Sequence, residues 1–273
     1  MNLLIIGQGV WASKIQSVLS NSTFGVNLTS ISARKALSDP SQIFEALENI
    51  EVIWICTKPD WQLELLPKLS QFGGKIILEK PYIWDENSMD RLSEFTKIFK
   101  GGLQLSEPWT YSNIWISARR EIKETSNVEF IVERGGPTGH NFMSPVLDWI
   151  PHDINLLFDL YGTELLKSEI SDIHWSKNQS ELEFKISIGT NSNFFVSVGN
   201  FNGKKVASWE SKALTVNFLT STLKKGLSEE QIIQEINPFM LQINSTVQNS
   251  LGRTRDQLEV QNYFFCKLSK DII

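Results

Sequence analysis

The stretch that most constrains the fold is an apolar run near the first residue that ends in two glycines. Leu3–Ile6 leads into Gly7-Gln8-Gly9, and the residues from Val10 to Leu19 are compatible with a helix. A short apolar run that ends in Gly-x-Gly and continues into a helix is typical of a buried parallel strand. Any strand-to-helix turn needs small residues, so the pattern alone leaves open whether this turn binds a dinucleotide.

In the dinucleotide-binding interpretation, the small residues of this turn allow the backbone to approach the cofactor. Gly7 permits the tight turn, and Gly9 lets the backbone approach a pyrophosphate because it has no Cβ. Ala12 is small enough for close packing of the helix on the sheet. The free N–H groups at Val10 and Trp11 lie at the helix N-terminus, where the helix dipole favours an anion. The Trp11 ring is a candidate wall beside the pyrophosphate.

The composition predicts a globular protein with enough apolar residues for two domains. The chain has 273 residues, of which 41% are hydrophobic and 21% are charged. A formal net charge of −5 without a basic block argues against general nucleic-acid binding. The first apolar run is too short for a signal-peptide core, and no stretch approaches the ~20 apolar residues of a membrane span. We therefore expect neither a nucleic-acid nor a membrane partner.

The two cysteines point to a reducing compartment. Cys56 and Cys266 lie far apart in the sequence and have no metal-ligand spacing. We therefore expect neither a disulfide framework nor a metal site. We expect the protein to lie in the cytoplasm.

The first ~100 residues alternate strand and helix signals, as a doubly wound parallel sheet requires. After the first strand, further strands are predicted at 24–31, 51–57 and 75–78. A helix is predicted from the spacing of Ile43, Phe44, Leu47 and Ile50. Loops at the carboxyl ends of the strands are expected to face a common crevice.

The end of the second strand indicates which nicotinamide cofactor is preferred. An acid about 20 positions beyond the glycines normally binds the ribose of NAD, whereas Arg with small polar residues suits the 2′-phosphate of NADP. Here Ser32 and Arg34 stand at this place, and the first acid is Asp39. Arg34 and Lys35 are alternatively plain solvated charges. The segment favours NADP, with NAD as the other possibility, and Ser32 and Arg34 are candidate ligands.

Five motifs, in this order, resemble those of the Gfo/Idh/MocA oxidoreductases. They are Gly-x-Gly-x-x-Ala from residue 7, Cys56-Thr57 before a loop with proline, 74–81 ending in Glu79-Lys80-Pro81, Asp-x-x-x-His at 148–152, and Arg253–Asp256. Each motif is short, but together they extend over most of the chain. The resemblance adds Thr57, Glu79 and Lys80 to the candidate cofactor-binding residues.

The resemblance implies a dinucleotide-binding Rossmann domain over 1–105 and a substrate-binding domain over 106–273, with the active site between them. Runs at 128–132, 181–188, 194–198 and 213–218 are rich in β-branched and aromatic residues and lack alternating helices. They favour a mostly antiparallel sheet, and the residues after Pro238 have the spacing of closing helices. The predicted fold class is α/β, a doubly wound parallel sheet followed by an α+β domain. In the family, the open face of the second sheet contacts other subunits, which implies a homo-oligomer.

By the resemblance, Lys80, Asp148 and His152 match a catalytic trio for hydride transfer between a substrate carbon and the nicotinamide. An imidazole titrates near neutral pH, so His152 suits proton transfer, and Asp148 lies one helical turn earlier. The Lys80 ammonium stabilises negative charge that develops on oxygen. The plainer alternatives are a core histidine at His152 and a strand-end cation at Lys80. His140 and His174 have no motif context and are expected to be structural.

The candidate substrate-binding residues are two aromatic residues and one asparagine that differs from the family pattern. Trp109 and Tyr111 follow the first domain, and their rings suit stacking against a substrate ring. Asn155 stands where the family commonly has Asp, which keeps hydrogen-bonding reach but loses the charge.

Two classes of function remain open. The first is an NAD(P)-dependent oxidoreductase that acts on a small cyclic, sugar-like substrate, or alternatively an NADPH-dependent reductase of an imine or conjugated ring. The second is a non-catalytic NAD(P)-binding sensor or assembly protein, for which the lost charge at Asn155 leaves room. The intact trio favours an enzyme.

Overall fold

The computed structural model describes residues 1–21, 25–39, 43, 49–125, 127–137, 144–234, 236–248 and 251–269. The chain separates into two compact units. The first consists of Met1–Pro108 and Ile236–Leu258, and the second of Trp109–Glu235 and Glu259–Ile273. The predicted domain boundary at 105/106 stays a prediction; the two units divide at 108/109, and the first also takes in Ile236–Leu258.

The first unit is built on a parallel sheet with order β2-β1-β3-β4-β5. Its elements are β1 (Asn2–Ile6), α1 (Val10–Ser20), β2 (Asn27–Ile31), α2 (Ala33–Ser38), β3 (Val52–Ile55), α3 (Pro59–Lys68), β4 (Lys75–Leu78), α4 (Glu86–Ile98) and β5 (Gly102–Leu105). The doubly wound sheet predicted from the sequence is confirmed. The sequence did not predict β5, and most of the helix expected around Phe44 and Leu47 falls outside the described residues.

Burial on both faces explains why the central strands of this sheet are continuous apolar runs. All four residues of β3 are buried, as are the last four of β1 and the last three of β4. The edge strand β2 is mostly exposed and carries a polar sequence. The chain passes from α1 to β2 on one side of β1, then to β3 on the other. The carboxyl ends of β1 and β3 therefore form the switch point where ligands bind in such sheets.

The second unit is built on a mixed sheet with order β13-β12-β11-β10-β6-β9-β8-β7. The neighbours β6 and β9 are parallel and the other pairs are antiparallel, which confirms the mostly antiparallel sheet. A 3₁₀ turn at Pro108–Tyr111 leads into the unit. Its longer elements are α5 (Asn113–Glu124), β6 (Val128–Gly135), α6 (Pro145–Tyr161), β7 (Glu169–Trp175), β8 (Glu181–Ile188), β9 (Ser192–Gly199), β10 (Val206–Glu210), β11 (Leu214–Asn217), β12 (Thr222–Lys225) and β13 (Ser228–Gln231).

Alternating burial divides this sheet into a covered face and an open face. Val128, Phe130 and Val132 of β6 point inward and share one apolar core with the buried residues of α6. On the opposite face, Ile131 of β6 lies in register with Phe195 of β9, and these side chains are 54% and 39% exposed. An exposed apolar pair at the centre of a sheet is a candidate contact surface.

Two helices end the described chain, as the spacing after Pro238 predicts. They are α7 (Pro238–Gln248) and α8 (Leu251–Leu268). Phe239 of α7 packs in the core of the first unit, whereas Val260 and Phe264 of α8 pack in the core of the second. None of the helices in the described part of the chain combines the length and apolar character that crossing a membrane requires.

Candidate functional site

Gly7 is required by the close approach of neighbouring strand ends. Its φ is +144°, and a Cβ at this position would lie 2.1 Å from the carbonyl oxygen of Cys56. The Gly7 N–H donates to the carbonyl of Ile31 at 2.9 Å, and the Cys56 N–H donates to that of Ile6 at 2.8 Å. Gly7 thus bonds to the end of β2 and lies directly against the end of β3, where a Cβ has no room, so the fold itself needs this glycine.

The N-terminus of α1 is open and lacks a side-chain cap. Gly9 is the N-cap residue, no side chain caps the helix, and the first turn contains no acid. A Cβ at Gly9 would meet nothing within 4 Å, and Val10 is 91% exposed. Ala12 is fully buried against the sheet. Free N–H groups at an open helix end fit the phosphate groups of a dinucleotide.

Trp11 belongs to the rim of the first unit's core. Its ring meets the ring of Phe239 edge-on at 5.5 Å between centroids, and the Lys14 ammonium lies 5.0 Å from its centroid. The indole Nε1 is buried and has no hydrogen-bond partner among the described residues. A role for Trp11 beside the pyrophosphate stays a prediction.

The carboxyl end of β2 presents a cation and a second helix N-terminus. Ser32 caps α2, and its Oγ accepts a hydrogen bond from the Lys35 N–H at 3.2 Å. Arg34 is exposed in the first turn of α2, which contains no acid, and Asp39 lies at the far end of the helix. An exposed cation in a helix turn without an acid is compatible with a 2′-phosphate, and the NADP preference stays a prediction.

The carboxyl end of β3 carries a buried thiol and a half-buried hydroxyl. Burial raises the pKa of the Cys56 thiol well above its ordinary value, and the nearby Glu79 carboxylate adds to the rise. The thiol is therefore protonated at neutral pH and a poor nucleophile. Thr57 Oγ1 donates to the Lys58 carbonyl at 3.0 Å, and Gln62 Nε2 donates to the Thr57 carbonyl at 3.3 Å.

The carboxyl end of β4 carries the Glu79-Lys80-Pro81 segment. Glu79 is 4% exposed, and its Oε1 accepts hydrogen bonds from Trp54 Nε1 at 2.8 Å and Ser106 Oγ at 2.6 Å. The carboxylate thus links β4 to β3 and to the residue that follows β5. A contact between Glu79 and the cofactor stays a prediction. Lys80 is half-buried, and the peptide bond to Pro81 is cis.

In the second unit, α6 carries Asp148 and His152 one turn apart on the same face. Asp148 is 5% exposed and His152 is 9% exposed. The helix begins after the N-cap Ser144, whose Oγ accepts from the Val146 N–H. The Trp149 ring lies 6.0 Å from the His152 ring. A carboxylate four residues before an imidazole can orient it and share its proton.

Asn155 lies on the same helix and has a partner from α8. It is 1% exposed, and its Oδ1 accepts from Gln261 Nε2 at 2.8 Å. Gln261 Nε2 also approaches the Pro151 carbonyl at 3.4 Å. The neutral amide at this position is therefore part of a buried hydrogen-bond pair, and contact with substrate stays a prediction.

The sequence did not predict a buried ion pair that holds α6 to the sheet. Asp153, next to His152, accepts from Arg134 Nε at 3.0 Å and Nη2 at 2.9 Å, and from Trp209 Nε1 at 2.8 Å. Arg134 is fully buried, and its guanidinium carbon lies 5.4 Å from the centroid of Trp109. One signal was present: Arg134 continues the inward positions of β6 after Phe130 and Val132, and a charge there needs a buried partner.

The structure brings the predicted residues together in separate groups, one set in each unit. In the first unit, the candidate cofactor ligands follow the carboxyl ends of β1 to β4. In the second, Asp148, His152 and Asn155 share α6, while Trp109 and Tyr111 share the 3₁₀ turn and are half-buried. His174 is exposed on β7, and His140 lies outside the described residues. Within the described ranges, no cluster of three or more His, Cys, Asp or Glu residues is placed to hold a metal.

Solved oxidoreductases share this fold over nearly the whole chain. The UDP-N-acetylglucosamine 3-dehydrogenase of Acidithiobacillus ferrooxidans has a TM-score of 0.72 at 14% identity, covering 100% of this chain and 97% of that one. An aldose-aldose oxidoreductase of Caulobacter crescentus, complexed with glycerol, has a TM-score of 0.76 at 11% identity, with coverages of 100% and 98%. A Gfo/Idh/MocA family oxidoreductase of Vibrio cholerae has a TM-score of 0.72 at 12% identity, with coverages of 100% and 99%.

The chain has the fold of the Gfo/Idh/MocA oxidoreductases. The resemblance drawn from the five motifs is confirmed at the level of the fold. No protein-family model matches the sequence, and comparison with curated proteins finds no significant match. The roles that the Gfo/Idh/MocA resemblance assigns to individual residues stay predictions.

Proposed function

We propose that this protein is an NAD(P)-dependent oxidoreductase that transfers a hydride between the nicotinamide and a small cyclic, sugar-like substrate. The observation that carries the proposal is the buried Asp148–His152 pair on one face of α6. The open N-terminus of α1 supports it, since it offers a phosphate site at the switch point of the parallel sheet. The names of two structural neighbours, a sugar-nucleotide dehydrogenase and an aldose oxidoreductase, support the sugar-like substrate.

Each unit contributes residues to a different part of this chemistry. The backbone at Gly9 and Val10 would hold the phosphates, and Arg34 would hold the adenosine end. When bound, the nicotinamide would supply the hydride acceptor or donor. His152 moves the proton to or from the substrate oxygen, and Asp148 orients the imidazole. The Lys80 ammonium stabilises negative charge on that oxygen.

A binding titration followed by a turnover screen tests this function. NADPH and NADH are each titrated while tryptophan fluorescence is recorded, and sugars and sugar nucleotides are then screened at the nicotinamide absorbance. Saturable binding with turnover of a sugar-like compound supports the proposal. Turnover only of an imine or conjugated ring supports the alternative reductase. Binding without turnover supports the sensor or assembly role, to which the uncharged Asn155–Gln261 pair points.

We expect Arg34→Asp to weaken NADPH binding relative to NADH binding. The guanidinium is exposed beside the N-cap of α2, so a carboxylate there repels a 2′-phosphate and accepts hydrogen bonds from a free ribose. The ratio of the dissociation constants for NADPH and NADH is expected to rise by about 10-fold or more, which is about 1.4 kcal/mol. Arg120→Asp, on the exposed side of α5, is the control and should leave this ratio unchanged. An unchanged ratio in the Arg34 variant would refute the NADP preference.

We further propose that the open face of the second sheet joins copies of this chain. Ile131 and Phe195 form its exposed apolar centre, and the Lys185 ammonium lies 5.5 Å from the Phe195 ring. Ile131→Glu is expected to convert an oligomer to monomers in light scattering, because it places a charge in the apolar contact. Ile98→Glu, at a 60% exposed position of α4, is the matched control. A wild-type monomer would contradict the proposal.

The proposed compartment is the cytoplasm. Cys56 and Cys266 are both free thiols, one buried and one exposed. An exposed thiol persists most readily in a reducing compartment, which is what supports this location.

A further inference from the structure

One buried serine, Ser106, contacts the chain on both sides of Lys80. Its N–H donates to the Leu78 carbonyl at 2.8 Å, and its Oγ donates to Glu79 Oε1 at 2.6 Å. Its carbonyl accepts from the Tyr82 hydroxyl at 2.5 Å. The three bonds bracket Lys80 and Pro81, so one residue after β5 holds both ends of this short segment.

The bracket formed by Glu79, Tyr82 and Ser106 is buried. Ser106, Glu79 and Tyr82 are 1%, 4% and 2% exposed. Water cannot readily replace a lost hydrogen bond at such positions, so each bond has a large effect on where its donor and acceptor lie. Trp54 Nε1 gives Glu79 a second donor, which ties the same carboxylate to β3. Lys80 itself is only half-buried, whereas the three residues that bracket it are buried. The position of its backbone therefore depends on these buried neighbours.

We propose that Ser106 is a positioning residue that fixes Lys80 through Glu79 and Tyr82. The hydroxyl holds the Glu79 carboxylate on one side of Lys80, and the carbonyl holds the Tyr82 hydroxyl on the other. With both neighbours anchored, the backbone at Lys80 has little freedom, which limits the space that its ammonium can reach. The effect on catalysis rests on the proposed function, whereas the effect on Lys80 itself does not.

The first test measures Lys80 directly, by its rate of acetylation with acetic anhydride followed by mass spectrometry. Ser106→Ala removes the hydroxyl and is expected to raise the Lys80 rate at least about threefold, because the segment opens more often. Rates at the other lysines of the same unit are the internal reference. Ser106→Thr, which keeps the hydroxyl, is expected to restore the slow rate.

Two further variants keep the test decisive. Tyr82→Phe removes only the phenolic hydroxyl and is expected to act in the same direction, so the proposal stays testable even if Ser106→Ala does not fold. Thr96→Val, in α4 of the same unit, removes a buried hydroxyl that donates to the Ser93 carbonyl at 2.8 Å and is the matched control. An unchanged Lys80 rate in the Ser106 and Tyr82 variants, or an equal rise in the Thr96 control, overturns the proposal.

A double-mutant cycle separates this proposal from the proposed function. Ser106→Ala is expected to lower kcat about 10-fold with little change in KM, since misplacing a reacting group lowers kcat. In a Lys80→Met background the same change should have almost no further effect, because the two residues act through one group. A full 10-fold loss in that background overturns the positioning role. Unchanged turnover in Lys80→Met refutes the assignment of Lys80, and the acetylation rates then decide the positioning role alone.

Discussion

Replacing His152 with alanine is expected to lower kcat by about 10²-fold or more, because the substrate oxygen loses the group that exchanges its proton. The imidazole lies in the second unit, whereas the candidate cofactor ligands lie in the first. The dissociation constant of the cofactor, measured by tryptophan fluorescence, is therefore expected to stay within about twofold of the wild-type value. Steady-state kinetics at the nicotinamide absorbance gives kcat.

His174→Ala is the matched control for this prediction. His174 is exposed on β7 and has no part in the proposed chemistry, so its loss should leave kcat unchanged. Equal kcat values in wild type and the His152 variant would refute proton transfer by this residue. A melting temperature that falls in the His152 variant but not in the His174 variant would indicate that His152 has the plainer role of a core histidine.

Most of the strands that the sequence predicted have at least one buried apolar face, with the mostly exposed β2 as an exception. Of the strands that it missed, β5 is buried but short, whereas β13 is held by pairing alone. β1, β3 and β4 are apolar runs because both faces are covered, and β8 alternates because one face is covered. β13 is exposed at all four residues, and its polar sequence has no pattern to detect. Its position follows from its ladder with β12, which is a tertiary effect that periodicity does not reveal.

In the candidate site, too, local sequence patterns were predictable and contacts between distant residues were not. The glycine turn, the end of β2 and the Asp148–His152 spacing are local patterns, so the sequence predicted the elements that carry them. The partners of these residues are distant in sequence: Gln261 follows Asn155 by 106 positions, and Ser106 follows Glu79 by 27. Nothing in a single sequence links such pairs, because their contact arises only when the elements pack together.

Asp153→Ala is expected to reduce the free energy of unfolding by about 3–5 kcal/mol, since it leaves the buried Arg134 guanidinium without its carboxylate. Arg134 is fully buried, and Trp209 Nε1 loses its acceptor at the same time. Urea titration followed by circular dichroism measures the change. The matched control is Glu121→Ala, which breaks the more exposed pair with Lys225 and is expected to cost less than about 1 kcal/mol.

The double variant Arg134→Met with Asp153→Leu identifies the source of that loss. Most of the cost in Asp153→Ala is an uncompensated buried charge, so removing both charged groups is expected to leave a more stable protein than Asp153→Ala. The guanidinium also packs against Trp109 and Phe218, at 5.4 and 4.8 Å from their ring centroids, and Met keeps an apolar group there. If the double variant is less stable than Asp153→Ala, then the uncompensated charge is not the source of the loss, and the packing of the Arg134 side chain against Trp109 and Phe218 stabilises the fold by more than that charge costs.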